Sequence, residues 1–194
     1  MVAKDYHIIL ASNSPRRKEL LAGLDVEFDV RVIDGIDESY PDDLPTRDIA
    51  QYISQKKAAA YRQTMASDEL IVTADTIVVL GTHVMGKPKD AAEAHNMLRE
   101  LSGQTHQVIT GVTLTTTDRQ TSFSVTTDVT FKSLTDSEIE YYVSHYRPFD
   151  KAGAYGIQEW IGYVGITGIK GSYYNVMGLP VQRIYEELRK RNIG

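Results

Sequence analysis

Charged and hydroxyl-bearing residues cluster where a short apolar run gives way to a helix. The segment Leu10–Arg17 reads Leu-Ala-Ser-Asn-Ser-Pro-Arg-Arg, so that Arg16 and Arg17 lie in the first helical turn. Helix N-termini normally favour acidic residues, because the helix dipole is positive there. An anion bound by helix N–H groups, hydroxyls and guanidinium groups would stabilise two arginines at this place. The alternative is an Arg-Arg pair that faces solvent on a surface helix.

A carboxylate interrupts the strongest strand pattern in the sequence. Asp75 lies within Leu70–Leu80, a run rich in β-branched residues. Aspartate is unfavourable in strands and costly to bury without a partner. Its carboxylate is either satisfied by backbone N–H groups at a bulge or presented at a strand end to a metal ion or a water molecule. We favour the second interpretation, because the strand pattern around Asp75 is strong.

Four further polar positions are weak signals when each is taken alone. Lys87 lies in a turn between a glycine and a proline, and Lys57 lies in a long helical window. Glu38 belongs to an acidic window, 27–48, which is a solvated loop by default, although one of its carboxylates could bind a divalent cation. Gln158 ends a glycine-containing segment, and its amide could donate to and accept from a base edge. An irregular loop with turn glycines explains that segment equally well.

The elements that must position these residues alternate between strands and helices. Apolar and β-branched runs predict strands at His7–Ala11, Val26–Ile33, Leu70–Leu80, Val84–Met85, Val108–Thr117 and Thr121–Phe131. Capping residues followed by apolar stripes predict helices at Ser14–Gly23, Thr46–Ala66, Asp90–Leu101, Thr135–Tyr146 and Val181–Arg191. A glycine-rich stretch at 151–172 precedes the last helix. This order predicts an α/β fold with a mixed sheet.

Composition narrows the class of protein. A chain of 194 residues with 42% hydrophobic and 24% charged residues fits one globular domain. The net charge of -5 argues against a protein that binds long nucleic acid, which usually shows a basic surface. The chain has no cysteine, which excludes disulfides and a thiol nucleophile. Its apolar runs are too short to span a bilayer and its N-terminus does not resemble a signal peptide, so we expect a soluble, cytoplasmic protein with no membrane partner.

Taken in order, these segments resemble the motifs of the Maf family, whose members are nucleoside triphosphate pyrophosphatases with a name derived from septum formation. The resemblance covers about residues 7 to 188, nearly the whole chain. The matching motifs are Leu10-Ala-Ser-Asn-Ser-Pro-Arg-Arg17, Lys57-Ala58, Ala74-Asp-Thr-Ile-Val78, Gly86-Lys-Pro-Lys-Asp90, Leu101-Ser-Gly-Gln-Thr-His-Gln-Val108, Lys151-Ala-Gly-Ala-Tyr-Gly-Ile-Gln158, Gly171-Ser-Tyr173, Asn175-Val176 and Gly178-Leu-Pro180.

The resemblance implies one catalytic domain, 1–194, that hydrolyses a nucleoside triphosphate between its α and β phosphates. It also implies an elongated, twisted, mixed sheet flanked by helices, an architecture shared with inosine triphosphatases. By similarity Asp75 is the general base, and Glu38 with Asp75 binds Mg²⁺ or Mn²⁺. The remaining pocket residues implied by the motifs, which would contact the substrate, are Ser12, Arg17, Lys57 and Lys87. A homodimer is expected from the same resemblance.

Three positions separate the branches of the family. Arg16, Thr76 and Gln158 are similar to the branch that acts on dTTP and UTP, whereas the 7-methyl-GTP branch has Trp, Gln and Glu. The chain departs from the family pattern at Asn13, where a small residue is more usual, and at Glu159, where glycine is more usual. One residue is also added between Gly162 and Gly171. The alternative to an enzyme is a nucleotide-binding regulator of septum formation that acts through partners.

Overall fold

The computed structural model of the protein describes residues 6–191. Seven strands and seven α-helices alternate along this part of the chain. The strands are β1 His7–Leu10, β2 Phe28–Val30, β3 Glu69–Leu80, β4 His83–Met85, β5 Thr105–Thr115, β6 Gln120–Phe131 and β7 Ile166–Lys170. The helices are α1 Pro15–Ala22, α2 Thr46–Arg62, α3 Ala91–Leu101, α4 Asp136–Tyr146, α5 Trp160–Gly165, α6 Tyr173–Met177 and α7 Val181–Lys190.

The strands form one sheet of seven strands in the order β2-β1-β3-β5-β6-β7, with β4 paired to β3 off this path. β1 runs parallel to both β2 and β3. The pairs β3–β4 and β6–β7 are antiparallel. The sheet is therefore mixed and flanked by helices, which confirms the predicted α/β class.

Helix starts follow the capping residues in the sequence. Ser14 caps α1 by accepting the N–H of Arg17 at 3.4 Å, and Pro15 occupies the first helical position. Thr135 caps α4 in a reciprocal capping box with Glu138. Local side-chain chemistry thus fixes where these helices begin, as predicted.

Two predicted elements are too long. α2 ends at Arg62 rather than Ala66, because the N–H of Thr64 turns back to the carbonyl of Tyr61 at 3.1 Å. β2 covers only Phe28–Val30 within the predicted strand Val26–Ile33. The hydroxyl of Tyr61 instead binds the backbone beyond β2, accepting the N–H of Ile33 and donating to the carbonyl of Arg31, each at 2.9 Å.

The glycine-rich stretch at 151–172 is more regular than the sequence predicts, since it contains α5 and β7. Its glycines allow close packing there. A Cβ atom on Gly162 would overlap the carbonyl of Ile157, and one on Gly165 would lie 3.2 Å from the ring of Phe131. The glycines of this stretch thus permit close approach of neighbouring groups within regular elements, where the sequence predicts a loop.

The chain divides into two compact units. Among the described residues the first contains 6–75, 110–125 and 178–191, and the second contains 76–109 and 126–177. β3 passes from one to the other at Asp75. The first unit has buried residues such as Leu10, Ile53 and Ile71, and the second has Val78, Leu98 and Tyr142. No helix within 6–191 has the length and apolar character needed to cross a membrane.

Candidate functional site

In the first unit, one ammonium group joins two carboxylates. Nζ of Lys57, on α2, lies 2.7 Å from Oδ1 of Asp75 and 3.0 Å from Oε1 of Glu38. The side chains of Lys57 and Asp75 are 14% and 13% exposed, whereas that of Glu38 is 54% exposed. Charge-assisted hydrogen bonds at these distances are strong where water is largely excluded. The structure therefore brings three of the predicted residues together at one partly buried position.

The position of Asp75 explains why an acid interrupts a strand. It lies within β3, not at its end, but the parallel neighbour β1 stops at Leu10, which is paired with Val72. The N–H of Ala11 makes a further bond to the carbonyl of Val72 at 2.9 Å. β3 thus extends beyond β1, and Asp75 follows in that extension.

Four small or hydroxyl-bearing residues lie at the contact between α2 and the strands. The hydroxyl of Thr73 donates to the carbonyl of Ser54 at 2.8 Å, and the hydroxyls of Ser54 and Thr113 are 2.8 Å apart. A Cβ atom on Gly111 would overlap the backbone of α2 at residues 50–51. Thr73 lies two residues before Asp75 on β3, and Ser54 lies three residues before Lys57 on α2. Their contact therefore helps to position the Lys57–Asp75 pair. Sequence reasoning missed these four contact residues, for which the available signal was a glycine inside a strand pattern.

Arg17 is bound to backbone carbonyls on two segments of the first unit. Its Nε donates to the carbonyl of Gly178 at 2.8 Å, and its Nη1 donates to the carbonyl of Ala74 at 2.9 Å. Burial lowers the pKa of Arg17, an effect that the nearby Asp75 carboxylate opposes. An arginine nevertheless keeps its proton at neutral pH. Arg17 therefore places a positive charge near Asp75 and holds the backbone of Ala74, the residue before Asp75.

Ser12 and Arg16 lie around the start of α1. Oγ of Ser12 accepts the N–H of Ser14 at 3.2 Å, so Ser12 helps to form the turn between β1 and α1. Arg16 is half-buried, and its charge adds to the lowering of the pKa of Arg17. The predicted concentration of positive charge at this helix start is present.

The second unit contains the other three predicted residues. Thr76 is half-buried on β3, Lys87 is exposed in the turn after β4, and Gln158 is half-buried. The N–H of Gly153 donates to the carbonyl of Gly86 at 3.1 Å. The turn that carries Lys87 therefore contacts the loop that carries Gln158. Oε1 of Gln158 is buried, and within residues 6–191 it accepts no hydrogen bond.

A buried histidine contacts the loop that carries Gln158 through Tyr155. Nε2 of His106 lies 2.7 Å from the hydroxyl of Tyr155, and the ring of His106 stacks on Phe131 with 5.6 Å between centroids. Burial lowers the pKa of His106 to about 4, so the ring is neutral at pH 7.

The donors around Lys57 fit a divalent cation that a phosphate group completes. No group of three or more His, Cys, Asp or Glu side chains is arranged as a metal site in the part of the chain that the structure describes. Asp75 and Glu38 do converge on one cationic atom, Nζ of Lys57. Mg²⁺ is commonly held by one or two carboxylates together with water and substrate phosphates.

Comparison with known proteins adds two kinds of similarity. Residues 7–191 match the family model described as Maf-like protein. The chain is 63% identical to a dTTP/UTP pyrophosphatase of Phocaeicola vulgatus over 185 residues, which covers 95% of this chain and 96% of that protein. It is 59% identical to a dTTP/UTP pyrophosphatase of Parabacteroides distasonis over 186 residues, which covers 96% of each.

Solved structures are more distant. A dITP/XTP pyrophosphatase from Mycobacterium abscessus aligns with a TM-score of 0.43 and 13% identity, over 95% of both chains. A HAM1 protein from Coxiella burnetii aligns with a TM-score of 0.47 and 16% identity, over 95% of this chain and 99% of that one. Similarity at this level carries no argument about the present site.

Proposed function

This chain belongs to the Maf-like family, and on that premise we propose that it is a nucleoside triphosphate pyrophosphatase that hydrolyses dTTP and UTP to the monophosphate and pyrophosphate. The observation that carries the proposal is the partly buried Asp75 carboxylate, held by Lys57 beside the bound guanidinium of Arg17. The pyrophosphatase names of the relatives support it, and favour the enzyme over a regulator of septum formation.

Asp75 acts as the general base in this proposal. It takes a proton from a water molecule whose oxygen attacks the α-phosphorus, and the bond from that phosphorus to the α–β bridging oxygen breaks. The bond electrons leave on the bridging oxygen, so pyrophosphate carries the new negative charge. Lys57, Lys87 and Arg17 offset this charge, and the Ser12 hydroxyl binds phosphate oxygen.

A divalent metal ion belongs to the same proposal. Glu38 and Asp75 would hold Mg²⁺ or Mn²⁺, which when bound neutralises phosphate charge and acidifies water. In the structure Lys57 pairs with the same two carboxylates. Release of Lys57 toward the phosphates as the metal binds would keep the charge around Asp75 balanced.

Base selectivity is assigned to Arg16, Thr76 and Gln158. The buried Oε1 of Gln158 is an acceptor that suits the N3–H of thymine or uracil, while its amide N–H can donate to O4. Cytosine has no hydrogen at N3, so it cannot satisfy this acceptor.

The proposal also includes assembly, location and domain organisation. In it, residues 1–194 act as one domain, and the protein is a cytoplasmic homodimer.

The Asp75→Asn variant tests the function. We expect loss of about a hundredfold or more in the rate of pyrophosphate release from dTTP with Mg²⁺, since the amide cannot accept the proton. The control is Asp29→Asn, an exposed residue of the same unit that pairs with His7, and it should hydrolyse dTTP at the normal rate. An unmodified protein that releases no pyrophosphate from dTTP or UTP, or a fully active Asp75→Asn, would contradict the proposal.

A further inference from the structure

The loop that carries Gln158 is closed by an ion pair inside the second unit. Lys151, at its start, is only 8% exposed. Its Nζ lies 3.1 Å from Oε1 of Glu159, at the end of the loop, and 2.7 Å from Oδ1 of Asp150. A charge this buried is costly without a partner, so the pairing ties the two ends of the loop to each other.

Tyr142, on α4, connects the same ion pair to the loop backbone. Its side chain is fully buried, and its hydroxyl donates to Oε2 of Glu159 while it accepts the N–H of Gly156 at 3.0 Å. Burial, reinforced by the hydrogen bond to Glu159, raises the pKa of Tyr142, so the hydroxyl keeps its proton. Both carboxylate oxygens of Glu159 are therefore engaged, which fixes the orientation of this side chain.

The loop backbone fits closely around this network. A Cβ atom on Gly156 would lie 2.9 Å from Cδ of Glu159 and 3.0 Å from Cε of Lys151. Ala154 has a φ of 57°, in the left-handed region that is unfavourable for a non-glycine residue. A strained loop keeps its conformation only when contacts outside it over-determine that conformation.

Gln158 directly precedes Glu159, and its Oε1 is the buried acceptor for which residues 6–191 supply no donor. Ile157, on its other side, is 5% exposed and anchors the chain there. We propose that Lys151, Tyr142 and Glu159 form a loop clamp that positions the Gln158 amide, and thereby sets base selectivity without contacting the nucleotide. This inference rests on the proposed function. The clamp residues are positioning residues, since each acts through Gln158.

The variants Tyr142→Phe and Glu159→Gln test the clamp, and Tyr146→Phe is the matched control. Tyr146 lies on the same helix, stacks on the ring of Tyr142 with 5.1 Å between centroids, and is 39% exposed. The readout is the ratio of affinities for dTTP and dCTP, titrated in EDTA so that no hydrolysis occurs. We expect the ratio to fall about tenfold in both clamp variants, the effect of one misplaced hydrogen bond to the base. Tyr146→Phe should keep the normal ratio.

Trp160 reports on the loop directly. It is the only tryptophan of the chain, it follows Glu159, and its ring lies 4.8 Å from that of Tyr141. Its fluorescence can follow the nucleotide titrations, and acrylamide quenching of the nucleotide-free protein should increase in the clamp variants but not in Tyr146→Phe. A purely structural role would weaken dTTP and dCTP binding equally.

The outcomes separate the two proposals. An unchanged dTTP-to-dCTP ratio, or an equal loss of both affinities, in folded Tyr142→Phe would overturn the loop clamp. If Glu159→Gln does not fold, Tyr142→Phe still decides, because it removes a single oxygen atom. An unmodified protein that binds dTTP selectively, loses selectivity in Tyr142→Phe and hydrolyses nothing would support the clamp and overturn the proposed hydrolysis.

Discussion

At the scale of single residues, the ion pairs of Lys57 show which charged side chains of this protein lie together. Lys57 within a helix pattern and Glu38 within an acidic window are ordinary surface signals in the sequence. In the structure Nζ of Lys57 lies 2.7 Å from Oδ1 of Asp75 and 3.0 Å from Oε1 of Glu38. Pairing reduces the cost of leaving a carboxylate in a partly buried strand. We propose that the same three groups change partners when a triphosphate and a metal ion bind.

His106 provides a pH prediction at this scale. The unfolded chain protonates this histidine below its ordinary pKa of 6.5, whereas the folded protein does so only near pH 4. The free energy of unfolding should therefore fall as the pH falls from 6.5 to 4. Between pH 7 and pH 5 this single group contributes a decrease of roughly 2 kcal/mol.

Denaturant unfolding at pH 7 and pH 5 measures this decrease, and His106→Asn should lessen it by the stated amount. His83→Asn is the matched control, because His83 is exposed and pairs with Glu100. An equal pH dependence in His106→Asn and in the unmodified protein would show that the buried ring does not titrate as described.

At the scale of elements, the site depends on how closely α2 approaches the sheet. Thr73 and Ser54 link β3 to α2 through a side-chain-to-backbone hydrogen bond, and Gly111 on β5 leaves room for the helix backbone. Lys57 and Asp75 follow closely along these two elements. The distance between the Asp75 carboxylate and the Lys57 ammonium is therefore set by how α2 docks on the sheet as well as by the two side chains.

The Gly111→Ala substitution should disturb both stability and catalysis. Because the added methyl group would overlap backbone rather than a flexible side chain, we expect the free energy of unfolding to fall by about 3 kcal/mol, at the upper end for overpacking. The value of kcat for dTTP should fall as well, since α2 must move away from β5 and the contact of Lys57 with Asp75 on β3 is then lengthened. Thermal unfolding and steady-state kinetics of the same preparation measure these changes.

Gly168→Ala is the control for this substitution. Gly168 is also a strand glycine, but an added Cβ atom would make only ordinary contact with Thr130 at 3.7 Å. It should leave stability and kcat close to normal. A stable, fully active Gly111→Ala would show that α2 can shift without loss of the Lys57–Asp75 contact.

At the scale of the whole molecule, a net charge of -5 coexists with a local concentration of cations. Arg16, Arg17 and Lys57 belong to the first unit, which also contains Asp75. Lys57 and Arg17 offset the negative charge of Asp75. The average charge argues against a broad nucleic-acid surface but says nothing about the binding of one small anion. An acidic protein can thus bind a triphosphate when a few cations converge.

Removal of divalent metal should abolish activity and leave the fold intact. In EDTA the Lys57 ammonium still pairs with Asp75 and Glu38, and the nearby Arg17 guanidinium supplies the second positive charge, so no uncompensated carboxylate pair is left. We expect pyrophosphate release to drop about a hundredfold or more, while Tm changes by less than about 2 °C. Excess Mg²⁺ should restore the rate. A large decrease in Tm with EDTA would instead indicate a metal ion that holds the fold.

Local features of the chain were enough to predict the α/β class, the starts of α1, α2, α3, α4 and α7, and the family, because capping, strand alternation and ordered motifs are local properties. They did not predict α5 and α6. The sequence could not determine the ends of α2 and β2, since Tyr61 and Thr64 decide them through contacts elsewhere. The sequence predicts a loop at 151–172. The structure has α5 and β7 there, because the glycines of this stretch allow close packing.

The family resemblance grouped Glu38, Lys57 and Asp75 in one pocket, but the ion pairs between particular side chains are known from the tertiary structure alone. Glu159 is a departure from the family pattern in sequence, and its link with Lys151 and Tyr142 is visible only once the loop closes on α4. Lys57, Glu38 and Asp75 are likewise separated along the chain and share one ammonium in space. The physical reason is that ion pairs and buried hydrogen bonds depend on distances between segments, which no local pattern of residues encodes.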